Sequence, residues 1–194
     1  MMNLFAYPLR AIRQFLKNRD GGMSIEAALV FPMLFFGIGI TYMYYDAFRI
    51  RTANLKATYT IGDLLSRWDD KENGVDQAYI DGLGDIFDYL TDDTDNSWIR
   101  ISVIKYDPDD DTNYLQWSKS SDSHPVNTQI DIDNLADQIP VLADDDYVII
   151  TETFMDFSSA FGDLPWYNGW FFDEISFENF AVTSLRFLPK LEEA

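Results

Sequence analysis

Residues 27–45 contain no charged side chain, and this apolar run constrains the fold more than any other feature of the chain. At about 1.5 Å per residue, the run forms roughly 28 Å of helix, which is close to the thickness of a bilayer core. A small soluble domain rarely buries a helix on all sides. The run therefore predicts a membrane-spanning helix rather than a core helix. A signal peptide is the closer alternative, but its apolar stretch is usually about 7–15 residues long, and no small-residue cleavage site follows the run here.

The charges on the two sides of this run differ in sign. Residues 1–22 contain four basic residues and one acidic residue, whereas residues 46–194 contain ten basic and 31 acidic residues. Because positive charge is retained on the cytoplasmic side of a membrane, residues 1–22 are predicted to form a basic cytoplasmic leader. The acidic part is then predicted to lie outside the cytoplasm, in the periplasm of a bacterial cell.

The composition excludes several classes of function. The absence of cysteine excludes disulfides, thiolate metal sites and a cysteine nucleophile. The formal net charge of -19 argues against a nucleic-acid partner, because phosphate binding depends on clustered lysine and arginine. The chain has a single histidine and lacks a glycine-rich phosphate loop and a Ser-His-Asp series. The sequence therefore predicts no enzyme, no cofactor and no metal site.

One acidic turn has part of the pattern of a calcium loop. Asp107, Asp109 and Asp111 have the spacing of the first three ligands. Thr112 and Ser118 occupy the positions at which such a loop requires glycine and glutamate. A solvated turn is therefore the predicted structure.

Apolar residues continue at helical spacing beyond the uncharged run. They are Ile50, Ala53, Ala57, Ile61, Leu64 and Trp68, and they would form one stripe on a helix. The sequence thus predicts one helix from Ile25 to Trp68. Within the segment 23–68, a transmembrane part would precede a soluble extension whose stripe is covered by the outer domain.

Residues 69–194 are predicted to form an extracytoplasmic α+β domain. A helix over 75–90 is followed by segments of strand composition joined by tight turns, an order that favours an antiparallel sheet packed on the long helix. The predicted strands are 98–106, 114–118, 147–157 and 178–188, with a short helix or turn over 131–139.

Residues 158–173 are predicted to form an aromatic loop. The rings that stand out are Trp166, Tyr167, Trp170, Phe171 and Phe172. They would either fold back onto the sheet or form a surface for a partner or a second copy, since exposed aromatic patches usually mark contacts.

Glu26 stands at the head of the apolar run, where a carboxylate is costly and by default indicates a function. The stretch from Arg19 to Pro32 has two glycines, Gly21 and Gly22, before Glu26 and an apolar run after it. It resembles the start of minor pilins of the Tad (tight adherence, Flp) type IVb pilus, especially TadE-like and TadG-like proteins. The resemblance covers about residues 13–68.

This resemblance implies a single-pass inner-membrane protein whose outer domain serves pilus assembly and thereby cell adhesion, with other pilus subunits or Tad assembly proteins as partners. In processed members a prepilin peptidase cuts after a glycine and leaves glutamate as the fifth mature residue, a pattern that Gly21, Gly22 and Glu26 fit. Ala27 replaces the aromatic residue that commonly follows this glutamate, and TadG-like members stay uncut, so cleavage remains open. The alternative function is a membrane-tethered extracytoplasmic binding or sensing domain unrelated to pili.

Overall fold

The computed structural model describes residues 22–70, 74–92, 97–144, 146–157 and 175–193. The chain divides into two compact units, Met1–Tyr45 and Asp46–Ala194. Helix α1, Gly22–Ser66, is continuous through Pro32 and supplies all described residues of the first unit. Its C-terminal part belongs to the second unit.

The second unit combines helices with one antiparallel sheet, which confirms the predicted mixed helix and sheet class. Its helices are α2 (Gln77–Thr91) and α3 (Gln129–Asn134), and single 3-10 turns cover 121–123 and 136–138. Its strands are β1 (Ser97–Asp107), β2 (Thr112–Ser120), β3 (Tyr147–Phe157) and β4 (Ile175–Ser184). All three strand pairs are antiparallel, in the order β2-β1-β3-β4.

Side-chain hydrogen bonds at their N-termini determine where helices α2 and α3 begin. The Asp76 side chain accepts a hydrogen bond from the backbone N–H of Tyr79, 2.8 Å away, and so caps α2. Thr128 and Asp131 form a reciprocal capping box at α3. The hydrogen bonds from Thr128 lower the pKa of Asp131 below its ordinary value.

The sheet has a core on each face because side chains alternate along its strands. On one face, strands β1 and β3 pack against α1 and α2, with Trp117 of β2 in the same core. The apolar residues fully or nearly fully buried there include Ala57, Ile61, Leu65, Ile80, Leu83, Phe87, Ile99, Ile101, Val103 and Ile149. On the opposite face, a smaller core forms beneath α3 and the turn that follows it. It contains Ile104, Ile132, Ile139, Val148 and Ile150.

The buried stripe of α1 differs from the predicted one. Ala57 and Ile61 are buried as expected, but Leu64 is 38% exposed and its neighbour Leu65 is fully buried. Two polar residues that the apolar periodicity did not select, Asn54 and Thr58, are fully buried on the same face. The stripe is therefore turned around the helix axis, and the sheet meets a mixed polar and apolar surface.

Hydrogen bonds to β3 and β4 explain why this polar surface is buried. The hydroxyls of Thr58 and Thr153 lie 2.7 Å apart, and Thr153 also donates to Asn54 Oδ1 over 2.9 Å. The Asn54 side-chain amide donates to the carbonyl of Phe177 in β4. Because a buried polar group without a partner costs free energy, these bonds favour one register of α1 on the sheet.

Gly62 allows α1 to approach the sheet closely on the same face. A Cβ atom at this position would lie 2.9 Å from Thr183 Oγ1 and 3.3 Å from Thr151 Oγ1. Gly82 in α2 has open space instead, with no atom within 4 Å of the equivalent Cβ position. Gly62 and Gly82 therefore have different roles, and of these two glycines only Gly62 is required by packing.

The C-terminal segment leaves the sheet earlier than predicted. The last strand begins at Ile175 and ends at Ser184, whereas strand structure was expected over 178–188. After β4, the backbone N–H of Arg186 donates to the carbonyl of Ser66, and the Arg186 guanidinium lies 2.9 Å from Asp63. These bonds to the end of α1 direct the chain away from β3.

The chain end then closes the first core. The Trp117 indole N–H donates to the carbonyl of Leu191 over 2.9 Å, and Leu191 is 3% exposed. The backbone N–H of Val75 donates to the carbonyl of Glu192. The nearly buried amine of Lys119 donates to the carbonyl of Val75 over 2.7 Å and lies 3.5 Å from Glu193.

Substituting Thr58 tests the polar contact between α1 and β3. Thr58→Val should lower the free energy of unfolding by about 1–3 kcal/mol, because Thr153 loses a buried hydrogen-bond partner. Thr60→Val is the matched control: the hydroxyls of Thr58 and Thr60 both lie within hydrogen-bond distance of the carbonyl four residues earlier, but Thr60 is exposed, and a change within about 0.5 kcal/mol is expected. Denaturant unfolding of the full chain in detergent, followed by tryptophan fluorescence, measures both. Equal effects would contradict this account of the contact.

Alanine at Gly62 and alanine at Gly82 should change stability in opposite directions. Gly82→Ala should stabilise the protein by up to about 1 kcal/mol, because it restores helix propensity in open space. At Gly62 the same gain is opposed by overpacking against Thr183, which costs about 1–3 kcal/mol. The same unfolding measurement should show Gly62→Ala to be the less stable of the two variants, and the reverse order would refute the close approach.

Candidate functional site

The N-terminal part of α1 presents apolar side chains that the described protein leaves exposed. Its most apolar window of 18 residues has a mean hydropathy of 1.9, and none of the window is buried. A core helix would be mostly covered by the rest of its domain, so this exposure argues against the core-helix alternative. By length and composition, the segment is compatible with a single membrane span. The large side chains exposed between residues 23 and 45 are Met23, Ile25, Leu29, Val30, Phe31, Met33, Leu34, Phe35, Phe36, Ile38, Tyr42, Tyr44 and Tyr45.

Glu26 is the fifth residue of α1 and is exposed beside these apolar side chains. The ion pairs between described residues do not include Glu26. A carboxylate in this position would be costly in lipid unless a positive group neutralised it. The arrangement can therefore recruit a cation from the leader or from a neighbouring chain.

One face of the apolar segment has a shallow groove that a second helix could pack against. Leu34, Gly37, Ile38, Thr41 and Tyr45 line a shallow groove on this face, together with Tyr42. Thr41 donates its hydroxyl hydrogen to the carbonyl of Gly37 over 2.8 Å, so this polar atom is satisfied within α1. In a bilayer, small residues at such spacing let two helices approach each other closely.

Gly22, one of the other site residues predicted from the sequence, is the residue at which α1 begins. The remaining ones lie outside the described residues, and Gly21 is one of them. The aromatic set is also outside them: Trp166, Tyr167, Trp170, Phe171 and Phe172. The described residues therefore do not test whether these rings form a site with Glu26.

The acidic turn between β1 and β2 uses its carboxylates for local hydrogen bonds. Asp111 accepts from the phenol of Tyr106 over 2.8 Å, and Asp110 accepts from the phenol of Tyr114 over 2.9 Å. These bonds, and the negative charge of the turn, raise the pKa of both tyrosines above its ordinary value. Within the described ranges, no group of three or more histidine, aspartate and glutamate side chains could hold a metal ion.

The sequence did not predict a largely buried ion pair on the second face of the sheet. Arg100 of β1 and Glu152 of β3 are direct cross-strand partners, and two hydrogen bonds of 2.9 Å join the guanidinium to the carboxylate. The Asn127 side chain donates to the same carboxylate. Because these charges neutralise each other and are hydrogen-bonded, the pair has the properties of a structural element rather than of a reactive site.

A column of stacked rings lies next to this pair. The Trp98 ring stacks on Phe154 at a centroid distance of 3.9 Å and on His124 at 4.5 Å. The Arg100 guanidinium lies 5.0 Å from the Phe154 centroid. His124 is exposed but also covers the Trp98 ring.

Comparisons with known proteins do not add to this description. No family model matches the chain, and no curated protein and no solved structure matches it. The residues themselves are therefore the basis for assigning a function, and the comparisons place the chain in no family.

Proposed function

We propose that this chain is a structural or assembly subunit, a minor pilin, of a Tad (Flp) type IVb pilus in a bacterial inner membrane. In this proposal α1 crosses the bilayer once between residues 23 and 45. Residues 1–22 lie in the cytoplasm, and residues 46–194 lie in the periplasm or, after assembly, in the pilus. The partners are the lipid bilayer and other pilus subunits or Tad assembly proteins. A prepilin peptidase is a further partner if the chain is cut after Gly21.

The observation that carries the proposal is a carboxylate on an exposed apolar helix. A helix that serves only as an anchor needs no charge among its apolar side chains, and a charge there raises the cost of insertion. Glu26 has this position in α1, and the stretch from Arg19 to Pro32 around it resembles Tad minor pilins. A subunit that pairs this carboxylate with a positive group of a neighbouring chain would gain stability on assembly.

The described part of the second unit favours a structural role. Its buried ion pair, Arg100 with Glu152, is satisfied within the chain, and the carboxylates of Asp110 and Asp111 accept bonds from neighbouring tyrosines. The formal net charge of -19 suits a surface that remains soluble outside the cytoplasm. These features support a packed domain that presents surfaces to partners.

The orientation of the chain is the first test of this function. A periplasmic reporter, such as alkaline phosphatase, fused after Trp68 should be active, and a cytoplasmic reporter at the same position should be inactive. The positive-inside bias of residues 1–22 is the physical reason. Replacing Arg10, Arg13, Lys17 and Arg19 by glutamine should weaken this preference. Activity of the cytoplasmic reporter in the native chain would refute the proposed topology.

Glu26→Gln separates membrane insertion from assembly. Insertion should be unchanged or slightly easier, because an amide costs less than a carboxylate in lipid. Copurification of pilus subunits and surface piliation should fall, because the attraction to a positive partner group is lost. Ser24→Ala, which changes an exposed polar residue on the same helix turn, is the matched control and should leave piliation unchanged.

Two further measurements decide between the alternatives. Gly21→Leu should abolish any difference in mass between the precursor and the mature chain, which shows whether a prepilin peptidase acts. Normal piliation and normal copurification in Glu26→Gln would make Glu26 a simple interface residue. That result would favour a membrane-tethered binding or sensing domain over a pilus subunit.

A further inference from the structure

The outer face of α1 in the second unit carries an exposed surface that is both apolar and basic. We call this surface the basic patch; it consists of Phe48, Arg51, Leu55, Lys56 and Tyr59. Phe48 is 61% exposed and Tyr59 is 58% exposed, values that are high for large apolar rings on a soluble unit. The helical spacing of these five residues places them along one side of α1, away from the buried stripe.

The basic patch is unusual in an acidic domain. Residues 46–67 contain four basic and two acidic residues, whereas residues 68–194 contain six basic and 29 acidic residues. Asp46 lies 3.2 Å from Arg49, and Asp63 lies within 3 Å of both Arg67 and Arg186, so both acids are neutralised. The charges of Arg51 and Lys56 form no ion pair with a described residue.

The outer face of α2 carries a surface of the opposite sign. We call it the acidic patch; it consists of Asp81, Asp85, Ile86, Tyr89 and Leu90. Tyr89 is 86% exposed, and Ile86 and Leu90 are 39% and 40% exposed. Helix α2 contains three aspartates and no basic residue. Both patches thus combine apolar side chains with uncompensated charge, and their charges are complementary.

The fold places the two patches on the same side of the sheet. Helices α1 and α2 bury their inner faces in one core with Ile99, Ile101 and Ile149. Their outer faces therefore both point away from that face of the sheet. A second copy related by a two-fold axis along the helices would bring α1 of each copy onto α2 of the other, and both contacts would form in one closed interface.

We infer that two copies of this chain associate through their helical layers, with the basic patch of each on the acidic patch of the other. The inference extends the proposed assembly role. It rests on that role because it takes the neighbouring subunit to be a second copy of this chain. Apolar side chains at the centre would supply affinity, and the pairing of Lys56 with Asp85 would set orientation and exclude the like-with-like arrangement.

Cysteine crosslinking tests this interface in the full chain, in the membranes of cells that produce it. Because the native chain has no cysteine, only introduced thiols react. Two differently tagged chains, one with Thr52→Cys in α1 and one with Tyr89→Cys in α2, should form a mixed dimer with a short bismaleimide reagent. Each variant alone should give at least tenfold less dimer. Val141→Cys, at a fully exposed position outside both patches, replaces Tyr89→Cys as the control and should give no mixed dimer above the level of the single variants.

Charge exchange identifies which surfaces meet. Lys56→Glu or Asp85→Lys should each reduce the mixed dimer about tenfold, because like charges would then face each other across the interface. The combination of both changes should restore it. Asp109→Lys, which reverses an exposed acid in the turn between β1 and β2, should have no effect. If each change acted only by destabilising the fold, the two effects would add and the double variant would form even less mixed dimer. Restoration of the mixed dimer would therefore indicate a direct contact.

The absence of a mixed dimer in folded, membrane-inserted chains would overturn the inference. Equal crosslinking in the single variants would also overturn it, since like helices would then face each other. Anionic lipid headgroups are the other chemistry that a basic, apolar helix face binds. If lipids occupied the basic patch, no crosslinked product would form between Thr52→Cys and Tyr89→Cys. Asp85→Lys would then have no effect on the crosslinking result.

Piliation of a strain that lacks the chain separates this inference from the proposed function. Lost piliation without a crosslinked product would overturn only the dimer. A crosslinked product with normal piliation in the deletion strain would overturn the assembly role and leave the dimer supported.

Discussion

The cost of exposing apolar surface to water is the constraint on which the rest of this structure depends. Each square ångström of apolar surface left in water costs about 25 cal/mol. Helix α1 meets this cost in two ways along its length. Its most apolar window of 18 residues contains no buried residue, so a surrounding lipid phase would remove the cost there. From Asn54 to Leu65 only one side is covered, and the sheet covers it. The change from an uncovered apolar window to a single covered stripe marks the difference between these two parts.

Hydrophobic periodicity predicted much of the fold because apolar burial dominates the core. The strand 147–157 has the predicted limits, and strands β1 and β2 extend only one or two residues beyond theirs at each end. Periodicity could not predict the stripe of α1 correctly, because Asn54 and Thr58 are polar, and their burial depends on hydrogen bonds to Thr153 and to the carbonyl of Phe177, which are distant in the sequence. Pairwise hydrogen bonds of this kind depend on tertiary geometry, whereas hydropathy is a property of one residue and its neighbours.

In the candidate site, too, some features could be predicted from the sequence and others depend on tertiary geometry. The composition of residues 1–45 was sufficient to select the apolar segment and Glu26 at its head, because a charge beside such a segment is costly. The ion pair between Arg100 and Glu152 could not be selected, since among so many carboxylates no single one stands out before the strand register is known. The register of β1 with β3 supplies that information. The two outer helix faces were also hidden, because exposure of Ile86 and Leu90 follows from which side of α2 meets the sheet.

Net charge opposes any association of this chain with itself, and this makes the local distribution of charge decisive. At a formal charge of -19, two copies repel each other at long range. Salt screens that repulsion beyond about 8 Å under physiological conditions, so only charges close to an interface affect its stability. The outer face of α1 is a part of the second unit where bases outnumber acids, and Asp63 and Asp46 are already neutralised there by arginines. If an acidic surface of a second copy approached another acidic part of this domain, carboxylates would face carboxylates. Against the outer face of α1, the same acidic surface would instead face Arg51 and Lys56. The proposed dimer meets this constraint, because it covers Arg51 and Lys56 of each copy with the acidic patch of the other.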